Sequence, residues 1–163
     1  MFRILLITGV AGSGKTTIGK RAAVELGWPY FEADDFHSEA NRAKMAAGIP
    51  LDDTDRAPWL ASIRAKMDEV RAGDGCAVFT CSALKASYRD VLLSGTSDVV
   101  LVYLHGDYET ILDRVSRRRG HFMKAEMVRS QFETLEPPED ALTIDIREPI
   151  DAICAKIVAA VRG

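Results

Sequence analysis

Long apolar runs are missing from this sequence. No stretch approaches the roughly 18–20 residues that a membrane-crossing helix needs, so no membrane association is expected. The N-terminal MFRILLITGV lacks the length and the small-residue cleavage site of a secretory signal, which points to the cytoplasm. Cysteine is scarce and odd in number: Cys76, Cys81 and Cys154 fit no metal-ligand spacing. Three reduced, mostly buried thiols are expected, rather than a disulfide framework or a zinc module. An excess of positive charge is also absent. With 21 Lys and Arg against 24 Asp and Glu, the formal net charge is −3. Nothing draws the chain generally toward nucleic acid or an anionic membrane, so any anion site has to be local. There is no internal repeat, heptad seam, basic tail or low-complexity linker, and so no positive support for a scaffold role.

What is present is an ordinary globular composition. The 163 residues are 47% hydrophobic and 28% charged, enough for one domain with a real core spanning 1–163. Strand candidates are RILLIT (3–8), PYFEA (29–33), CAVFTC (76–81), VVLVYL (99–104) and ALTIDI (141–146). Three of them are near-continuous apolar runs, the mark of strands covered on both faces. Helical periodicity marks 15–26, 56–72, 84–93, 107–118, 124–133 and 149–161. Caps are read at Ser38 before EANRAKM, at Asp55 before the 56–72 helix and at Asp107 before YETILDRV. Alternation of strands and helices implies an α/β fold with a parallel sheet and right-handed crossovers. Ligands bind such sheets beyond the carboxyl ends of the strands. The chemistry is therefore expected at Gly9–Thr16, Ala33–His37, Cys81–Lys85 and after Leu104.

The first of these places carries GVAGSGKTT, which fits G-x-x-x-x-G-K-S/T at Gly9, Gly14, Lys15 and Thr16. A buried strand precedes it and a helix follows, the context a phosphate loop needs. Glycine permits tight turns with inward N–H groups, and the helix N-terminus completes an anion site. Gly9, Val10, Ala11, Gly12, Ser13, Gly14, Lys15, Thr16 and Thr17 are thus the expected nucleotide loop. Lys15 would reach the β- and γ-phosphates and Thr16 would ligate Mg²⁺. After the second strand, FEADDFH offers Glu32, Asp34 and Asp35. In an extended chain, residues 32 and 34 share a side and Asp35 faces away. Asp34 is read as the base for an attacking hydroxyl or as a holder of metal-bound water, and Asp35 as a helix cap. The third strand ends in Cys81 and Ser82 where many phosphate-loop proteins carry an acid. This argues against a standard GTPase or motor ATPase and shifts the acidic work to the second strand. Lys85 and Arg89 lie at i and i+4 on one helix face, as grips for an anionic substrate or as solvated charges. Arg114, Arg117, Arg118 and Arg119 precede Gly120, a hinge-like position. They suit a lid whose guanidinium groups stabilise a transferring phosphoryl, or a basic helix end favoured by the dipole.

These residues carry a resemblance. GVAGSGKTT, ADDFHSEANRAKMAAGIPLDDTDRAPWL, CSALKASYRD and VYLHGDYETILDRVSRRRGHFMKAEMVRSQFETLEP are collinear and cover most of the chain. They resemble the gluconokinase family of small phosphate-loop kinases. The phosphate loop is widely shared; the other blocks are much more particular. The resemblance implies a nucleoside-monophosphate-kinase-like α/β sandwich in the P-loop NTPase fold. Its mobile lid would lie near 114–132 and its substrate-binding segment near 34–60. The second strand would lie beside the third, so that Asp34 reaches across at the strand ends. The implied reaction moves the γ-phosphoryl of ATP, with Mg²⁺, to the 6-hydroxyl of D-gluconate, feeding the pentose phosphate and Entner–Doudoroff routes. Family members are often homodimers.

By resemblance, Asp34 is the catalytic base and a metal-side residue, with Lys15 and Arg118 sharing the catalysis. Arg114 and Arg118 contact the nucleotide from the lid. His37, Arg56, Lys85, Arg89, His121 and Gln131 match substrate-side positions, with Arg56 or Arg89 on the gluconate carboxylate. Trp59 and Phe122 are read as packing. The sequence departs from the family's Asp-x-Asp pattern at Glu32, and Ser38 replaces the proline that usually follows His37. The alternatives are a shikimate kinase-like enzyme, which is expected to carry a glycine-rich turn in place of CSALK, and a nucleotide-binding module without turnover.

Overall fold

Five parallel strands form one sheet in the order β2-β3-β1-β4-β5. The computed structural model describes residues 1–117 and 124–163. Strands β1 (Ile4–Thr8), β2 (Tyr30–Glu32), β3 (Ala77–Thr80), β4 (Val99–His105) and β5 (Leu142–Asp145) lie within a residue or two of the apolar runs that predict them. β1 sits at the centre, with Leu6 in register with Phe79 on one side and Leu101 on the other. The second strand lies beside the third, as expected from the resemblance.

Both faces of the sheet are covered, which explains the unbroken apolar runs. Leu5 and Ile7 point to one face and Ile4 and Leu6 to the other, all four fully buried. The first face packs on α1 (Lys15–Leu26), α5 (Tyr108–Ser116), α6 (Lys124–Thr134) and α7 (Ile150–Arg162), through Ile18, Ala22, Ile111, Val128 and Ile157. The second packs on α3 (Asp53–Ala72) and α4 (Ala86–Leu93), through Leu60, Ile63, Met67 and Leu92. Each such fully buried aliphatic side chain contributes about 1.5–3 kcal/mol. Cys81 and Cys154 are buried and Cys76 half-buried, all three free, as expected. No helix among the described residues is long and apolar enough to cross a membrane.

Three boundaries, and the cap read at Asp35, depart from the sequence reading, each for a local reason. β2 stops at Glu32, and Ala33–Phe36 form a 3₁₀ turn rather than more strand. Positions 32 and 34 therefore do not alternate as in an extended chain. Asp35 caps nothing among the described residues; Ser38 caps α2 (Glu39–Ala46), as expected, accepting from the Asn41 N–H. α3 begins at Asp53 because Asp52 and Asp55 form a reciprocal capping box, so Asp52 is the cap and Asp55 the third helical residue. α4 begins two residues late because Lys85, its N-cap, holds an extended backbone at φ −95° and ψ 147°, just after Ala83 at φ 39° in the left-handed region.

Candidate active site

The phosphate loop lies between β1 and α1, at the carboxyl end of the central strand. Gly14, the N-cap of α1, holds φ 95° and offers no side chain to the helix's first amides, which stay open to an anion. Gly12 is needed for space as well as conformation: a Cβ there would meet Val115 Cγ2 at 2.6 Å, so α5 could not close on the loop. Lys15 Nζ donates to the Gly9 and Val10 carbonyls at 2.9 and 3.0 Å, which holds the ammonium over the loop. Ser13 Oγ is buried with no hydrogen-bond partner among the described residues, an orphan that a phosphate oxygen would satisfy. The loop thus fits a nucleotide phosphate.

Two cavities flank it. The first, about 470 Å³, runs from Gly12, Gly14 and Thr17 to Arg114, Arg117 and Arg147. Its far wall is the β5–α7 connection, including Pro149 and Ile150. Arg114 is half-buried and donates to the Ile146 carbonyl at 2.6 Å, fixing it along this wall. The second cavity, about 480 Å³, is lined by Asp34, His37, Arg56, Trp59, Ser82 and Gln131, among others. Gln131 ties it to the loop, because its Oε1 accepts from the Ala11 N–H at 3.0 Å.

Inside the second cavity the polar groups are oriented by neighbours. The His37 ring stacks on Trp59 with centroids 4.3 Å apart, and Trp59 Nε1 donates to the Ala33 carbonyl at 2.7 Å. Burial pushes the His37 pKa below its ordinary value, outweighing the nearby Asp34 carboxylate. The ring is therefore neutral at neutral pH. Asn41 Nδ2 lies 3.2 Å from His37 Nδ1 and 2.9 Å from the Asp55 carbonyl. That arrangement makes Nδ1 the acceptor and leaves Nε2–H as a donor. Arg56 forms no ion pair among the described residues; its guanidinium donates to Tyr88 Oη at 3.3 Å and lies over the Tyr88 ring. Cys81, beneath the strand ends, feels both Lys15 and Asp34, but burial dominates and pushes its thiol up to about 12, so it is inert.

A nucleotide-sized cavity on one side of a phosphate loop and an acid- and arginine-lined cavity on the other describe a small-molecule kinase. Comparison with known proteins agrees. The family model described as shikimate kinase matches residues 11–157. The chain is 41% identical to a probable gluconokinase of Rattus norvegicus, over 98% of this chain and 97% of that protein. It is 48% identical to a gluconokinase of Gluconobacter oxydans (strain 621H), over 85% and 78%. The solved structure of a gluconokinase from Sinorhizobium meliloti 1021 superposes with a TM-score of 0.84 at 36% identity, covering 98% of this chain and 91% of that one. The chain belongs to the shikimate kinase family and, within it, to the gluconokinases.

Against the gluconokinase pattern, several side chains sit elsewhere than the sequence reading put them. Arg89 is the clearest correction. It is 7% exposed, and its guanidinium donates to the carbonyls of Ala83, Leu84 and Glu136 at 2.9, 3.1 and 2.7 Å. It is a clamp on the left-handed turn at Ala83, not a grip on a substrate. Replacing Arg89 with Met leaves buried carbonyls without donors and should lower stability by about 3 kcal/mol. Urea unfolding measures this; stability unchanged with acid affinity lost would return Arg89 to the substrate. Lys85 pairs with Asp53 at 3.3 Å, outside the cavity lining. The carboxylate beside Thr16 is Glu32 and not Asp34: Thr16 Oγ1 donates to Glu32 Oε1 at 3.0 Å, while the 3₁₀ turn carries Asp34 to the second cavity. Among the described residues no group of three or more His, Cys, Asp or Glu could hold a metal alone. A hydroxyl and a single carboxylate suit a Mg²⁺ that also rests on substrate phosphates. Arg118 and His121, and with them Arg119, Gly120 and Phe122, lie outside the described residues. Asp53 and Tyr88 are site neighbours that lie in the quoted blocks without having been read as site residues, Arg117 lines the nucleotide-side cavity with Arg114, and Arg147 is a neighbour that no motif marks.

Proposed function

We propose that the protein is an ATP-dependent gluconokinase that transfers the γ-phosphoryl to the 6-hydroxyl of D-gluconate, giving 6-phospho-D-gluconate and ADP. The observation that carries this is the pair of cavities on either side of one phosphate loop, the second holding a carboxylate, a neutral histidine and an arginine without an ion-pair partner among the described residues. The loop amides and Lys15 bind the triphosphate, and Arg114 lines its cavity. Arg118, at the lid position of the sequence, adds charge stabilisation. Thr16 and Glu32 hold a Mg²⁺, which when bound neutralises phosphate charge. Arg56 takes the gluconate carboxylate with a planar fork. His37 Nε2–H and Gln131 donate to sugar hydroxyls, and Lys85 and His121, substrate-side positions by sequence, add further contacts to the acid. Asp34 orients the 6-hydroxyl and accepts its proton. In-line positioning and electrostatics then do most of the work.

The nucleotide enters as a substrate beside a small polyhydroxy acid; neither nucleic acid nor membrane is a partner. Residues 114–132 act as the lid and 34–60 as the acid-binding segment of one kinase domain, active in the cytoplasm and assembling as a homodimer. The test is a panel of sugar acids, with shikimate included, assayed for MgATP-dependent phosphorylation. Gluconate should be phosphorylated far faster than shikimate. Turnover of shikimate but not gluconate would overturn the proposal, and MgATP binding without turnover of any acid would favour a silent nucleotide-binding module.

A further inference from the structure

A chain of hydroxyl groups runs from the sheet to the Thr16–Glu32 pair. Tyr30 Oη donates to Glu32 Oε2 at 2.7 Å and lies 2.8 Å from Thr80 Oγ1. A phenol has one proton and a carboxylate can only accept, so Tyr30 gives its proton to Glu32 and Thr80 donates to Tyr30. Thr16 Oγ1 donates to the same carboxylate, at 3.0 Å from Oε1. Glu32 is therefore gripped from both sides: by α1 through Thr16, and by β2 and β3 through Tyr30 and Thr80. Thr80 is 1% exposed, so the anchor of the chain is fixed in the core.

The space for this chain is built in. Gly19 lies inside α1, where glycine costs about 1 kcal/mol relative to alanine. A Cβ at Gly19 would meet Thr80 Cγ2 at 2.5 Å and Tyr30 Cε1 at 2.8 Å. The helix thus gives up a side chain where the tyrosine ring and the threonine pass beneath it. The need follows from Glu32 itself. Glutamate has one more rotatable bond than aspartate, so its carboxylate sweeps a wider arc unless something holds it.

We propose that Tyr30 and Thr80 are positioning residues: their hydroxyl relay holds the Glu32 carboxylate against Thr16, so that the pair is organised for a divalent cation before the nucleotide arrives. The relay rests on the metal role given to Thr16 and Glu32 above. It predicts an effect on metal-dependent binding that a general loosening of the fold does not produce.

The experiment is calorimetric titration of the full chain with the β,γ-imido analogue of ATP, with Mg²⁺ and in EDTA. The wild-type protein should bind the analogue more tightly with Mg²⁺. In Tyr30→Phe, and separately in the near-isosteric Thr80→Val, the ratio of the two dissociation constants should shrink by about tenfold, the loss expected for a hydrogen bond to a charged group. Affinity in EDTA should stay as in the wild type. Gly19→Ala should shrink the ratio in the same direction, by displacing the ring. If either hydroxyl variant fails to fold, the other still reports the ratio. A folded variant with the wild-type ratio, whether or not both affinities fall together, overturns the relay while leaving the Thr16–Glu32 reading intact. A wild-type protein with no Mg²⁺ preference overturns that reading and the relay with it.

Discussion

Replacing Lys15 with Met should lower kcat by about 10²–10³-fold, the scale seen when one preorganised donor to a developing negative charge is removed. Methionine keeps the length and apolar stem of lysine, so the loop should fold as before. What is lost is the ammonium, which the Gly9 and Val10 carbonyls now hold over the loop at 2.9 and 3.0 Å. These are neutral acceptors, weak competitors for a cation beside a triphosphate. Because charge on the transferring group is spread over its oxygens, the loss falls on the transition state more than on ground-state binding. Steady-state kinetics over a range of MgATP should show kcat falling more than KM changes. Lys15→Arg should not restore the rate, because a planar fork cannot occupy the place of a compact ammonium between two loop carbonyls. A Lys15→Met enzyme with most of its turnover would show that the loop amides alone carry the charge.

The strands were readable because burial on both faces removes polar interruptions: ILLIT and AVFT have every residue buried. Position in the sheet was not. Nothing in PYFEA says that it pairs with β3 rather than with β1, and that order came only with the family resemblance. The helix starts that were misplaced depend on reciprocal or strained local geometry. Asp52 and Asp55 are equally good caps by residue type, and only the paired hydrogen bonds select Asp52. Ala83 is an ordinary helix former, and its left-handed backbone goes with a tertiary contact, the three-carbonyl grip of Arg89, that residue type does not reveal.

The site divides along the same line. The nucleotide loop is local in sequence, so spacing alone identifies it. Arg89 is the opposite case: its i,i+4 relation to Lys85 shows that they neighbour each other, but not which one turns inward. That is decided by Glu136, 47 residues away, whose carbonyl accepts from Arg89. Glu32 is a tertiary surprise of the same kind. β2 is not a neighbour of β1, yet α1 leans across β3 far enough to bring Thr16 onto the Glu32 carboxylate. The Glu32 carboxylate is held by Tyr30, whose ring passes beneath Gly19, residues that no phosphate-loop motif includes.

Asp34→Asn should lower kcat by about 10²–10⁴-fold, the contribution typical of a positioned general base. The substitution is nearly isosteric, and Asp34 is exposed at the cavity with no side-chain hydrogen bond among the described residues. Stability should therefore change little. KM for gluconate should also change little, because Arg56, His37 and Gln131, proposed above to hold the acid, are untouched and an asparagine still accepts a hydrogen bond from the hydroxyl. What asparagine cannot do is take the proton as the phosphoryl moves. Glu32→Gln separates the two acidic roles: it should raise the Mg²⁺ concentration needed for half-maximal rate, whereas Asp34→Asn should leave that concentration unchanged. His37 is no substitute base, since Asn41 occupies its Nδ1 and its Nε2 carries a proton. An Asp34→Asn enzyme that is folded and keeps most of its turnover would mean that the alcohol loses its proton to the phosphoryl itself, leaving Asp34 only to orient it.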